Sequence, residues 1–142
     1  MERRGLRVRT RAIVLLTLSY LVTTASAEEP ACPPGTAPHT VAEVLFGRNI
    51  GEVPGVSEEA WSRFVDEEIT PRFPDGLTVI DSIGQWRNPA SGRIVREPGK
   101  ILRIILTEPT AMPKLAEIAA AYKRRFHQQS VIVMLTRACA VF

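Results

Sequence analysis

The sequence predicts an α+β domain, a ferredoxin-like β-α-β-β-α-β plait with a four-stranded antiparallel sheet and two helices on one face. Three observations predict it. Two stretches carry one apolar stripe at helical spacing: Trp61, Phe64, Val65 and Ile69, then Leu115, Ile118, Ala119, Tyr122 and Phe126. Runs rich in Val, Ile and Leu surround them in the required order, at 40–48, 77–87, 93–106 and 131–137. Two cysteines, Cys32 and Cys139, sit outside the first and last of these runs. In the plait the spatial strand order is 4-1-3-2, so the first strand starts where the fourth ends. Cys32 and Cys139 then become neighbours, as a disulfide requires.

Each element has a local cause. In the first strand, TVAEVLFGR, Val44 and Phe46 share one face, and Glu43 and Leu45 the other. The loop NIGEVPGV follows at 49–56. Ser57 then suits a helix N-cap, with Glu58 and Glu59 well placed against the helix dipole. Val56 before the cap and Trp61 after it fit a hydrophobic staple, and Pro71 ends the helix. Phe73-Pro74-Asp75-Gly76 is a turn: Pro fixes φ, Asp bonds its own backbone and Gly accepts positive φ. LTVIDSIGQWR is the second strand, and Asn88-Pro89-Ala90-Ser91-Gly92 turns into the third. Pro98-Gly99 is expected to break that third strand with a bulge or bend. Pro113 suits the first turn of the second helix, and Lys123, Arg124, Arg125 and His127 crowd its last turn. VIVMLTR at 131–137 is the closing strand.

The N-terminus indicates export. Five Arg and Glu2 within residues 2–11 precede an apolar run at 12–24 and then Ala25-Ser26-Ala27. A basic head, a short apolar middle and a small-x-small exit make a secretory signal peptide over 1–27. The apolar run is shorter than the ~20 residues that a membrane span takes. The mature chain is expected to have no transmembrane span and to be periplasmic or extracellular after cleavage near Ala27. A Pro-rich tail at 28–39 leads into one domain at 40–142. The whole chain has 18 basic and 15 acidic side chains; without five Arg and Glu2 the mature part has 13 and 14, a net of −1. The basic balance belongs to the signal, and nucleic acid loses its electrostatic support as a partner. An isolated cysteine pair in an exported protein reads as a disulfide, Cys32–Cys139. A metal site from Cys32, His39 and Cys139 lacks any close ligand pair, so none is expected.

Side-chain alternation gives the sheet a second face. With Val44, Phe46, Ile80, Leu102, Ile104, Ile132 and Met134 toward the helices, Glu43, Asp81, Arg103 and Arg137 face away among aliphatic neighbours. Their signs alternate across the strand order, so each can pair with the next. Three readings of this face stand: a dimer interface, the lining of a ligand cavity, or a solvated face.

Candidate chemistry is sparse. Trp86 and Arg87 in GQWR could present an aromatic and a guanidinium to an anionic or sugar ligand, with Arg93, Arg96 and Lys100 nearby; the alternative is a hairpin arm kept soluble by its cations. Arg48 lies in a strand–loop–helix junction with Gly47, Gly51 and Gly55, of a type that anions favour, but no phosphate-loop spacing is present. Asp81 and Glu43 could serve as general acid and base beside Arg103 if the face is dry; the alternative is a structural ion-pair ladder. His39 and His127 fit no nucleophile–base set.

The motifs LFGR, Ser-Glu-Glu-x-Trp, TPRFPDGLTV, GQWR and IVREPGK, with a closing strand holding Cys139 and Phe142, span nearly all of residues 40–142. In these the chain resembles a family of small exported bacterial proteins classed as a domain of unknown function. The resemblance implies an exported α+β domain and brings no catalytic residues. The functional expectation is a non-enzymatic interaction or structural module of the cell envelope. Its partners would be a second copy through the open face, an envelope protein or a small anionic ligand, and no cofactor is expected. The alternative is a small-molecule enzyme of dimeric α+β-barrel type, with Asp81, Arg103 and Arg87 around a cavity on the open face.

Overall fold

The computed structural model describes residues 31–108 and 110–142. The expected signal peptide at 1–27, and residues 28–30 of the tail, lie outside the described residues. The chain runs through strand β1 (Ala37–Gly47), a small hairpin of β2 (Asn49–Ile50) and β3 (Val53–Pro54), and helix α1 (Glu58–Phe64). Strands β4 (Thr78–Arg87) and β5 (Ile94–Leu106), helix α2 (Ala111–Phe126) and strand β6 (Ile132–Ala140) follow. The fold is α+β, with two helices and a four-stranded antiparallel sheet in spatial order β4-β5-β1-β6.

Both apolar stripes pack on one sheet face. Ala42, Val44 and Phe46 of β1 and Leu102 and Ile104 of β5 are buried against Trp61, Phe64, Leu115, Ile118 and Tyr122. Phe46 and Tyr122 anchor the cluster, with ring centroids 4.7 Å apart in an edge-on arrangement. The Tyr122 hydroxyl donates to the Gly47 carbonyl at 2.8 Å, so the buried ring keeps its polar end satisfied. Burial pushes the Tyr122 pKa well above its ordinary value.

The helix ends follow the sequence signals. Ser57 caps α1 by accepting from the Ala60 N–H. After Phe64 the helix widens into a π turn over Val65–Ile69, with the Thr70 N–H donating to the Val65 carbonyl at 2.8 Å. The extra residue per turn keeps Ile69 in the core. Helix α2 ends on His127 in the left-handed region, with φ 52. Arg125, in the last turn of α2, reaches Glu67 at 2.8 Å and ties the two helices together.

Three expectations are corrected. Strand β5 runs through Pro98-Gly99 without a break, because β1 has ended there and Pro98 owes no ladder donor. The Pro98 carbonyl instead accepts from the Arg48 N–H at 3.0 Å. Strand β1 starts at Ala37, inside the expected tail, where Pro38 stands opposite Cys139 of β6 and past the end of β5. Strands β4 and β6 are turned the other way from the expected alternation. Val79 and Val133 pack on the core, so Ile80, Ile132 and Met134 belong to the open face.

Cys32 and Cys139 are joined by a disulfide, with Cα atoms 5.6 Å apart and a sequence separation of 107. Among the described residues no helix is long and apolar enough to cross a membrane. A bond closing so long a loop stabilises by up to ~4–5 kcal/mol in the chain-entropy model. Cys139→Ser should therefore lower the unfolding free energy in urea by up to that amount. An unchanged urea midpoint would show that the bond leaves the unfolded ensemble unaffected.

Candidate functional site

A concavity comes from a mismatch in strand length. The β4–β5 ladder stops at Thr78 opposite Arg103, whereas β5 continues to Leu106 opposite Thr40 of β1. The TPRFPDGL segment swings away from the sheet at this point. A hollow of about 810 Å³ opens between that segment, the end of β5, the start of α2 and Phe142. Phe73, Leu77, Ile105 and Phe142 give it apolar walls.

Its cations are already engaged. Arg72 donates to the Glu68 carboxylate at 3.0 Å and to Glu117 at 3.2 Å. Arg103 donates through Nε and Nη2 to Glu43 Oε1, at 2.9 and 2.6 Å. Lys114 pairs with Glu108 at 3.3 Å and sits over the Phe73 ring, 5.8 Å from its centroid. Hydrogen bonds from Thr110 and Lys114 hold the Glu108 pKa below its ordinary value. Asp75 differs. Among the described residues no hydrogen bond or ion pair engages its carboxylate, which leaves one unmatched negative charge on the wall.

The residues singled out in the sequence do not form one site. Glu43 and Arg103 meet on the open face, and Arg103 alone of the candidates lines the hollow. Asp81 is corrected to the helix side of the sheet, opposite Lys100, because the alternation of β4 is set by Val79 in the core. There its carboxylate accepts from Lys100 Nζ, which also reaches Glu58 at 2.8 Å. Arg137 stands opposite Thr40, on the same side of the sheet as Ala42, so it and Asp81 leave the expected ladder and Glu43 pairs with Arg103.

Trp86 and Arg87 project from opposite faces of β4, so they cannot clasp one ligand together. Trp86 lies opposite Val95, while Arg87 lies opposite Ile94 on the side that also carries Arg96. The Arg48 guanidinium is spent inside the fold: it donates to the Val56 carbonyl at 2.8 and 2.6 Å and pairs with Glu58.

Lys100, grouped in the sequence with the solvated hairpin cations, is buried beneath the start of α1. Burial works against its charge, but hydrogen bonds to Asp81 and Glu58 outweigh this and raise its pKa. The same bonds from Lys100 lower the pKa of Asp81 and of Glu58, in the latter case with help from Arg48. The two depressed carboxylates stabilise the fold above their ordinary pKa and lose that contribution as the pH falls through their folded-state values. The raised Lys100 stabilises below its ordinary pKa and loses its contribution as the pH rises through the folded-state value. Between about pH 6 and about pH 3 the urea midpoint should fall, and in Asp81→Asn it should fall less. Equal acid sensitivity of the two proteins would remove Asp81 from the linkage.

Among solved structures, the chain is similar to a phage SAM lyase in complex with S-methyl-5'-thioadenosine, with a TM-score of 0.55 and 19% identity over 82% of this chain and 97% of that chain. It is likewise similar to the phage SAM lyase in its apo state, at a TM-score of 0.54 and 18% identity over 81% and 97% of the two chains. At this identity the likeness shows a shared fold. It also corrects the expectation of a non-enzymatic interaction or structural module, because these two solved chains of the same fold are those of an enzyme. The alternative of a small-molecule enzyme fits this finding better. No curated protein matches the sequence. Residues 41–142 match the family model described as a protein of unknown function, DUF3574, and the chain belongs to that family.

Proposed function

We propose that the chain is a small-molecule enzyme acting on a sulfonium nucleoside of the S-adenosylmethionine type, held in the hollow beside Asp75. The observation that carries this reading is the unmatched Asp75 carboxylate in a concavity whose cations are already paired. A hollow of about 810 Å³ lies within the range usual for small-molecule sites. Such a site favours a ligand with a net positive centre and an apolar body. Arg103 has a second role. Glu43 orients its guanidinium through Nε and Nη2, and Nη1 stays available for the carboxylate of an amino-acid moiety.

The chemistry follows from the charges. S-methyl-5'-thioadenosine is what remains of S-adenosylmethionine when the sulfur parts from its amino-acid chain. The electron pair of that bond stays on sulfur, and the sulfonium becomes a neutral thioether. The released carbon closes onto an oxygen nucleophile or loses a neighbouring proton, and no oxidant or reductant is needed. Positive charge at sulfur disappears along the reaction, so apolar walls favour the transition state. A carboxylate beside the sulfonium favours the ground state, which makes Asp75 a binding group.

The likeness of the fold to a SAM lyase supports this reading. The β-α-β-β-α-β succession supports describing the fold as a ferredoxin-like plait. The disulfide supports export, with cleavage near Ala27 and a periplasmic or extracellular location. Val41, Leu45, Ile80 and Ile101, half-buried on the open face, support a homodimer that covers it. Ile101→Glu should then convert a dimer to a monomer in size-exclusion chromatography with light scattering. A monomeric parent protein would end the dimer reading.

Incubation of the purified protein with S-adenosylmethionine should release S-methyl-5'-thioadenosine, followed by liquid chromatography and mass spectrometry. Asp75→Asn should raise KM on the order of tenfold without lowering kcat. If the parent protein neither binds nor consumes S-adenosylmethionine, the reading fails.

A further inference from the structure

The hollow has a polar wall made of backbone. The Arg48 N–H donates to the Pro98 carbonyl, which fixes the direction of the peptide groups along β5. The β1–β5 and β4–β5 registers are continuous, so direction alternates without a bulge. Leu102, Ile104 and Leu106 therefore turn their N–H and C=O groups toward β1, while Ile101, Arg103 and Ile105 turn theirs toward β4. Arg103 finds Thr78 opposite it. Ile105 does not find a strand partner, because the next position is Gly76, outside β4 and at φ 148. Among the described residues no backbone hydrogen bond reaches the N–H or C=O of Ile105 on that side. Ile105 itself lines the hollow.

An extended residue holds its N–H and C=O side by side, aimed one way. The group that matches them is flat and offers an acceptor and a donor on one edge. The N1 and 6-amino edge of adenine has that form. Phe73, Leu77 and Phe142 supply apolar surface in the same hollow for the ring faces. We infer that the Ile105 backbone forms the subsite that reads the 6-amino and N1 edge of an adenine ring, which rests on the reading of the hollow as a sulfonium-nucleoside site. Asp75 and Arg103 fix the other end of the ligand, so the order of donor and acceptor along β5 becomes selective. A 6-oxo ring carries the two groups in reversed order, and sets donor against donor and acceptor against acceptor.

The experiment is calorimetric titration of the parent protein with S-methyl-5'-thioadenosine, its 6-oxo counterpart and its N1-methyl counterpart. The adenine compound should bind, and the other two should bind weaker by on the order of 100-fold. Ile105→Pro gives a second test. It deletes an N–H that no ladder uses, the circumstance in which the fold already holds Pro38 and Pro98. It should weaken the adenine compound on the order of tenfold while leaving the weak binding of the 6-oxo compound unchanged. If the adenine and 6-oxo compounds bind within about threefold of each other, the subsite is wrong although the hollow binds nucleosides. If none of the three binds, the subsite and the proposed function fall together.

Discussion

The register between β1 and β5 is the constraint on which the rest of the molecule depends. Val44 opposite Leu102 places both in the core beneath the helices. Every other pairing follows from that one. Glu43 must then meet Arg103 on the opposite face, and Phe46 must meet Lys100 under the start of α1. A slip of one residue would bring Arg103 into the aromatic cluster and push Leu102 out of it. An unpaired guanidinium among those rings would cost several kcal/mol, on the order of the whole stability of a small domain. The Lys100 ammonium is tolerated there only because Asp81 and Glu58 reach it. Glu58 comes from the first turn of α1, so one strand pairing also sets where that helix begins.

The hollow and the hairpin arm follow from where ladders stop. β4 starts late relative to β5, which leaves the Ile105 peptide edge without a strand neighbour beside the TPRFPDGL segment. β1 ends early relative to β5, which lets Pro98 lie in a strand and lets Ile94–Glu97 extend with β4 as an arm. A compact sheet with matched strands would have neither feature. The fold gives up a few backbone hydrogen bonds at its corners and gains a concave surface there. Loops such as residues 71–77 carry the polar groups, and the rigid strands behind them hold those groups in place.

Much of this was legible in the sequence, and the misses have a common physical origin. The two helical stripes, the Ser57 cap and the turn at Phe73–Gly76 were readable because each depends on local chemistry. The disulfide was readable because export and topology pointed the same way. The facing of β4 and β6 was misread because Val79-Ile80 and Ile132-Val133 are aliphatic at adjacent positions, so alternation carries no sign. Asp81 was misplaced for that reason alone. Lys100 looked like an exposed cation on a hairpin, since nothing local announces that Glu58 will arrive above it. Asp75 was read as a turn former, and its free carboxylate emerged only once the neighbouring cations had found other partners. The Ile105 edge could not be read at all, because it depends on strand ends and not on side chains.

The placement of the disulfide ties the wall of the hollow to the redox state of the surroundings. Cys139 lies near the end of β6, and Phe142, which lines the hollow and meets the His39 ring edge-on at 5.1 Å, follows it closely. The crosslink thus clamps a strand terminus that would otherwise fray, and chain ends fray first when nothing holds them. Reduction would loosen this corner while the helix-covered core stayed folded. Under the proposed function, ligand capacity would be lost ahead of the fold, so an oxidising compartment would act as a licence for the site as well as a source of stability.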